Sequence, residues 1–316
     1  MNKNLVLVLA FLCCSVLSAQ EAEFTEGFIN VPGGPVWYEI NGGGDGIPLL
    51  TVHGGPGGQS CAMTLINPLG DERQIIRYDQ LGGGRSGRPR DMSNWQLDRF
   101  IEALHTVRLS LGLEQMHLLG HSWGGALVAA YVLEKGTEGI VSLTLSSPLL
   151  STPAWIEDAN TLRAQLPAEI REALDRHEAA GTTDSDEYQA ATDEFYNRHV
   201  RGTPVVRAQG CQGAPFNPVV YEFMWGPTEF RATGNLLDFD LSNRFGEIDI
   251  PVLLMAGEFD EARPERMRLF QPLFPDARFV MIEGATHSSS ANNPDAYLAA
   301  LRQFLREAEQ KPYAGR

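Results

Sequence analysis

The chain has 316 residues, with 40 acidic against 25 basic side chains and a net charge of −15. Such acidity excludes a nucleic-acid-binding surface, which needs a basic face to neutralise phosphates, and it suits a soluble protein and, weakly, a cationic substrate. Four cysteines (Cys13, Cys14, Cys61 and Cys211) define no disulfide framework, and no Cys-x-x-Cys, His-Glu-x-x-His or EF-hand spacing points to a metal.

The first element is a leader. Lys3 precedes an uncharged apolar run from Leu5 to Leu17, and Ser18-Ala19-Gln20 offers a small residue for cleavage after Ala19. The run is short for a bilayer span, so residues 1–19 are predicted to be a secretory signal peptide and the mature protein to be exported, periplasmic or secreted. Bulky Phe11 and Leu12 argue against a lipid anchor on Cys13 or Cys14. Loss of Lys3 with the leader takes the net charge from −15 to −16. It leaves Cys61 and Cys211, which outside the cytoplasm could pair or stay free.

Strand and helix signals then alternate. Val36–Ile40 reads as a strand, and Gly42-Gly43-Gly44-Asp45-Gly46 turns the chain into the apolar strand Pro48–Val52. Without a following Lys-Ser or Lys-Thr, the glycine run is no phosphate loop. His53-Gly54-Gly55-Pro56-Gly57 comes next, and a loop with so little side chain leaves backbone N–H groups uncovered, as half of an oxyanion hole requires. Gln74–Tyr78 is a strand that runs into a loop where Gly82, Gly84 and Gly87 match G-x-G-x-x-G. That fingerprint must open a helix, but Arg88-Pro89-Arg90 follows, so no dinucleotide cofactor is expected. The next helix starts near Ser93 or Asn94, spaces Leu97, Ile101, Leu104 and Val107 along one face, and ends at Gly112.

Met116–Leu119 is a short buried strand, Gly125–Lys135 a helix, and between them lies Gly120-His121-Ser122-Trp123-Gly124. A sharp strand-to-helix turn flanked by glycine is what a nucleophile elbow needs. It would stand Ser122 at the carboxyl end of the sheet and turn the Trp123 N–H toward charge on an attacked carbonyl. Ile140–Leu145 is another strand. The rhythm then breaks into a polar, helical stretch, with helices opening at Ala168-Glu169 and over Asp186–Val200, and with Phe216, Tyr221, Phe223, Trp225 and Phe230 close together. It resumes with strand Pro251–Ala256, helix Pro264–Phe274, strand Arg278–Ile282 and helix Pro294–Glu309. The pattern predicts an α/β fold: a mainly parallel sheet with helices on both faces, built from residues 20–150 and 244–316, with 151–243 inserted as a helical cap.

A serine hydroxyl attacks only when a base takes its proton, and in this topology the partners follow in the order serine, acid, histidine. His287 is the histidine left once His53 and His121 are assigned to loops, His105 to a helix, His117 to a strand, and His177 and His199 to the cap. The acid should leave the strand ending at Ala256, where Glu258, Asp260 and Glu261 compete. Asp260 is chosen, to orient the His287 imidazole and stabilise it once protonated. Serine at position 122 points to acyl transfer to water.

These residues resemble the proline iminopeptidases of the α/β-hydrolase fold, including the tricorn-interacting aminopeptidase. The likeness lies in His53-Gly54-Gly55-Pro56-Gly57, Asp79-Gln80 with its glycine turn and Ser86, the Ser122 pentapeptide, Gly257-Glu258-Phe259-Asp260-Glu261 and His287. It extends through Leu166-Pro167-Ala168-Glu169, Tyr188-Gln189-Ala190 and Gly226-Pro227-Thr228-Glu229-Phe230. The resemblance implies release of an N-terminal residue, often proline, from peptides or small amides. Carried over by position, Glu229 and Glu261 would hold the protonated substrate amine, since a buried ammonium needs anions to offset its desolvation. The leader and Ser288-Ser289-Ser290 after the histidine depart from the family pattern. The expectation is an exported serine aminopeptidase that forms an acyl-enzyme on Ser122, with the Gly55 and Trp123 N–H groups as the oxyanion hole. An amino-acid amidase, esterase or lactonase with the same Ser-Asp-His set is the alternative, and a non-catalytic binding protein on this fold a third reading.

Overall fold

A computed structural model describes residues 24–208 and 216–311. The leader at residues 1–19 and Cys211 lie outside the described residues. Cys61 is disulfide-bonded, and each of the other cysteines (Cys13, Cys14 and Cys211) is outside the described residues.

Eight strands form one sheet: β1 Phe24–Val31, β2 Gly34–Asn41, β3 Gly46–Val52, β4 Arg73–Tyr78, β5 Met116–His121, β6 Ile140–Ser146, β7 Val252–Gly257 and β8 Ala277–Ile282, in the order β1-β2-β4-β3-β5-β6-β7-β8. The β1–β2 and β2–β4 pairs are antiparallel, and every later pair is parallel. Adjacent residues of the central strands explain why both faces are covered. Leu50, Ile76, Leu118 and Leu254 point into one apolar cluster, while their neighbours Leu49, Ile75, Leu119 and Leu253 point into another. On the first face pack α1 Leu97–Ser110 and α2 Trp123–Lys135, through Ile101, Leu104, Leu127 and Tyr131. On the second pack a 3₁₀ stretch at Ser60–Asp71 and α9 Pro294–Gln310, through Ile66, Leu69, Tyr297, Leu301 and Phe304. Full burial of each such side chain stabilises the fold by about 1.5–3 kcal/mol.

Between β6 and β7 run α3 Thr152–Arg163, α4 Ala168–Ala180, α5 Asp186–Tyr196 and α6 Pro218–Met224; after β7 come α7 Pro264–Phe270 and, beyond β8, α8 Ser289–Asn292. Helices α3, α4 and α5 gather around their own small core, which includes Leu162, Leu174, Tyr188 and Phe195.

The mainly parallel sheet with helices on both faces, expected from the strand-helix alternation, is the one observed, with local differences. Strand β1 carried no usable signal, because it is an edge strand whose Phe24 and Phe28 are exposed while only Ile29 and Val31 turn inward. Helix α1 starts at Leu97, and Met92–Asn94 is a separate 3₁₀ turn. The helix expected over Pro264–Phe274 is α-helical only to Phe270 and tightens into a 3₁₀ turn at Gln271–Leu273, where Pro272 lacks an N–H for a further α-helical bond. The run expected over Asp186–Val200 changes at Asn197 into a π-helical turn, Asn197–Arg201. Helix α2 begins earlier than its glycines suggest. Gly124 and Gly125 lie inside its first turn because a Cβ on either would collide, with the Val52 carbonyl or with Pro148.

Candidate active site

Ser122 sits where β5 passes directly into α2, at φ 57° and ψ −124°. A non-glycine residue held there is strained by about 1–3 kcal/mol, and its surroundings must enforce it. They do so through its backbone: the N–H donates to the Ser146 carbonyl (3.0 Å), and its own carbonyl accepts from Gly125 (2.8 Å) and Leu149 (3.1 Å). A Cβ on Gly120 would strike the Gly124 carbonyl, and one on Gly54 would lie 2.7 Å from the Ser122 Cβ, which explains why glycine surrounds the serine. The Trp123 N–H belongs to the first turn of α2, where helix donors have no intrahelical partner and the dipole is positive.

The loop after β3 supplies Gly55, at φ 55°. A Cβ there would meet nothing nearer than Phe216 at 3.8 Å, so glycine serves the backbone conformation rather than crowding. Gln80 fixes this loop. Its N–H donates to His53 Nε2 (3.0 Å), its Nε2 donates to the His53 carbonyl (2.7 Å), and its Oε1 accepts from Trp123 Nε1 (2.9 Å). His53 therefore carries its proton on Nδ1, facing the Gly54 carbonyl at 2.9 Å, and burial pushes its pKa down in keeping with that neutral form. Gly55 and Trp123 thus share one hydrogen-bonded frame. Asp79 braces it by accepting from the Ser60 N–H and hydroxyl (2.7 Å each) and the Arg85 N–H (2.8 Å). The G-x-G-x-x-G match is part of this brace, since a Cβ on Gly84 would collide with the Asp79 carboxylate.

Asp260 leaves the end of β7 and is 1% exposed. Its Oδ1 accepts from His287 Nδ1 (2.9 Å) and the Ala262 N–H (2.8 Å), and its Oδ2 from the Ser147 hydroxyl (2.6 Å) and the Gly257 N–H (3.1 Å). Burial alone would lower the pKa of His287. The charge and hydrogen bond of Asp260, with the charge of Glu229, outweigh it and hold the imidazole above its ordinary range. The His121 ring lies 4.8 Å from that of His287, and burial, followed by His287 itself, pushes His121 down to about 3, so it adds no charge. Of the other acids in the β7–α7 connection, Glu258 is exposed and accepts from the Gly284 N–H (3.0 Å).

Glu229 and Glu261 are brought to the same place. A narrow pocket has Gly55, Ser122, Trp123 and Glu229 on its wall, together with Trp155 and Trp225. Trp155 of α3 stands edge-on to His287 with centroids 5.7 Å apart, and its Nε1 donates to the Glu229 carbonyl at 3.0 Å. Glu261 is 1% exposed, its Oε1 is 3.8 Å from His287 Nδ1, and both its carboxylate oxygens are buried without a hydrogen-bond partner. Burial, then the charges of Glu229 and Asp260, raises its pKa well above the carboxylate range. Burial likewise raises Glu229, opposed by His287 and by the Tyr221 hydroxyl, which approaches the carboxylate without regular hydrogen-bond geometry. A buried acid without a hydrogen-bond partner next to a second, partly buried one forms a site for a cation.

Sequence reasoning missed two features. Ser147, at φ 47°, donates to Asp260; the run Ser146-Ser147-Pro148 after β6 marked a strand end and nothing more. The π-helical turn supports the histidine loop: the His287 and Ser288 N–H groups donate to the His199 and Val200 carbonyls, both at 3.0 Å. Asn292 Nδ2 donates to the Arg201 and Pro204 carbonyls (2.9 Å each), while its Oδ1 accepts from the Thr286 N–H and hydroxyl. No sequence pattern announces either arrangement.

Residues 47–294 match the family model described as alpha/beta hydrolase fold. The chain is 40% identical over 286 residues to a proline iminopeptidase of Heyndrickxia coagulans, an alignment covering 89% of this chain and 99% of the relative. A solved proline iminopeptidase of Mycobacterium smegmatis superposes with a TM-score of 0.80 at 35% identity, covering 90% of this chain and 99% of its own. The structure of VinJ superposes with a TM-score of 0.83 at 30% identity over the same shares.

Proposed function

The chain belongs to the proline iminopeptidase family of serine hydrolases with the α/β-hydrolase fold, and from that premise we propose that it releases an N-terminal residue, proline foremost, from peptides or small amides. The observation that carries this reading is the pair Glu229 and Glu261 beside Ser122 and His287: Glu229 is partly buried on the pocket wall, and Glu261 is buried with both its oxygens unpartnered. A hydrolase of neutral acyl groups gains nothing from two closely placed acids at its nucleophile, one of them buried and unpartnered, whereas a substrate with a free amine pairs with them on binding.

In this proposal the Ser122 hydroxyl attacks the carbonyl of the first residue while His287 Nε2 takes its proton. Asp260 holds the other ring nitrogen and keeps the imidazole oriented. The Gly55 and Trp123 N–H groups receive the oxyanion. His287 then protonates the departing amine, and water, deprotonated by the same nitrogen, frees the amino acid from Ser122. Residues 151–243 act as a cap that brings Glu229 and Trp155 over the serine.

Turnover of proline p-nitroanilide should exceed that of its N-acetyl analogue by about 100-fold or more in kcat/KM, the scale expected when a buried charge loses its partner. Equal turnover of the blocked substrate, or preference for a simple aryl ester over both, would falsify the aminopeptidase reading in favour of an esterase or amidase.

Export is also proposed, on the composition of residues 1–19 and on the disulfide at Cys61, a linkage that persists in oxidising compartments. Protein recovered from its source cells should begin at Gln20 and be found in the periplasmic or culture fraction. Full-length chain confined to the cytosol would overturn this.

A further inference from the structure

We propose that Ser147 is a positioning residue for catalysis, fixing the Asp260 carboxylate and through it the His287 imidazole. The inference rests on the reading of Ser122, Asp260 and His287 as a catalytic set.

Among the described residues, Ser122 and Ser147 are the two non-glycine positions with positive φ, at 57° and 47°. For Ser122 the strain presents a nucleophile. For Ser147 the backbone alone gives no reason, since glycine would take the same conformation without cost. The side chain supplies the reason: fully buried, its hydroxyl points at Asp260 Oδ2 from 2.6 Å. The residue cannot swing away, because its own N–H is bonded to the Met255 carbonyl of β7 at 2.7 Å.

The remaining donors to Asp260 divide into two kinds. Gly257 and Ala262 are backbone groups of its own connection and move with it. His287 is the group to be oriented. Ser147 is thus the side chain that ties the acid to a different strand, β6. Its neighbour Ser146 accepts the Ser122 N–H, so two successive residues at the end of β6 register nucleophile and acid against each other.

Without the hydroxyl, Oδ2 keeps one donor, and the carboxylate is held only by its own connection and by His287, with no side-chain tie to the end of β6. Its charge, less shared among donors, also pulls harder on the imidazolium form of His287. The other groups facing His287 are Glu261 from the β7–α7 connection, Glu229 from the segment between β6 and β7, and the neutral His121 of β5. His199 meets the same connection through the Phe259 carbonyl. None of them changes when Ser147 does.

The test compares Ser147→Ala and Ser147→Gly with wild type and Ser122→Ala. It reads kcat and KM on proline p-nitroanilide, the pH dependence of labelling by a fluorophosphonate probe, and Tm. Both Ser147 variants should lose about 10-fold or more in kcat, the scale of a hydrogen bond to a charged group, with KM nearly unchanged. Their acid limb in the labelling profile should move to higher pH. Ser147→Gly relieves the backbone strain, so it should melt above Ser147→Ala while being equally impaired. A loss of activity that follows Tm, with the acid limb unmoved, makes Ser147 structural and overturns the proposal. So do Ser147 variants that match wild type while Ser122→Ala is inert, which leaves the catalytic set standing. Labelling that persists in Ser122→Ala removes the catalytic set and the proposal together.

Discussion

Ser122→Ala should lower kcat by about a million-fold, the scale seen when the nucleophile of a serine hydrolase is removed, and yet leave a protein at least as stable as wild type. The first half follows from the chemistry: without the hydroxyl there is no acyl-enzyme, and the Gly55 and Trp123 donors can stabilise only slow direct attack by water. The second half follows from the backbone, where a residue at φ 57° serves presentation rather than folding. Ser122→Gly, free of the Cβ, should be stabilised by about 1 kcal/mol. Thermal unfolding and single-turnover kinetics on the same preparations measure both. A Ser122→Ala enzyme keeping even a hundredth of wild-type kcat would show that the nucleophile lies elsewhere.

The next largest effect belongs to Glu261. Glu261→Gln should reduce kcat/KM for free-amine substrates by about 30- to 1000-fold, because the ammonium then meets one carboxylate instead of two. Without substrate the same change should flatten the stability profile at high pH. The folded-state pKa of Glu261 is raised above its unfolded value, so its contribution is fully present below about 4.5, the ordinary glutamate range, and is lost as pH rises through the folded value. Wild type should therefore lose Tm toward alkaline pH more steeply than Glu261→Gln, and a bound amine should restore part of the loss. If kcat/KM on proline p-nitroanilide survives the substitution, the carboxylate is not where the amine sits.

The sheet was legible in advance because β3, β4, β5, β6 and β7 are apolar on both faces, and strands of that kind announce themselves as runs. Strand β1 was not, since half of it faces solvent and its apolar residues fall on both sides. Ser122 was readable from its glycines, which close packing against Val52 and Gly124 demands. His287 and Asp260 were readable from chain order. The amine site was not readable from composition or spacing. Glu229 lies in an ordinary Gly-Pro-Thr turn and Glu261 in a cluster of three acids, so resemblance alone singled them out; what makes the pair unusual is their closeness to the nucleophile and the unpartnered burial of Glu261, properties of the fold. Ser147 and the Asn197–Arg201 turn were invisible for a similar reason, because a left-handed serine or a π-helical turn leaves no mark on the side-chain pattern.

That turn has a bearing on how such enzymes diversify. The loop carrying the base is hydrogen-bonded to residues up to 91 positions earlier in the chain, through carbonyls of His199, Val200, Arg201 and Pro204. The segment between β6 and β7 is therefore not an interchangeable module resting on an autonomous catalytic machine. A graft that redraws the substrate pocket through α4 and α5 keeps the hydrogen bonds that seat the base, whereas one that also replaces residues 197–204 removes them. New specificities are accordingly easiest to reach by recombination upstream of Asn197, and the stretch from there to Pro204 has to be kept with the histidine it supports.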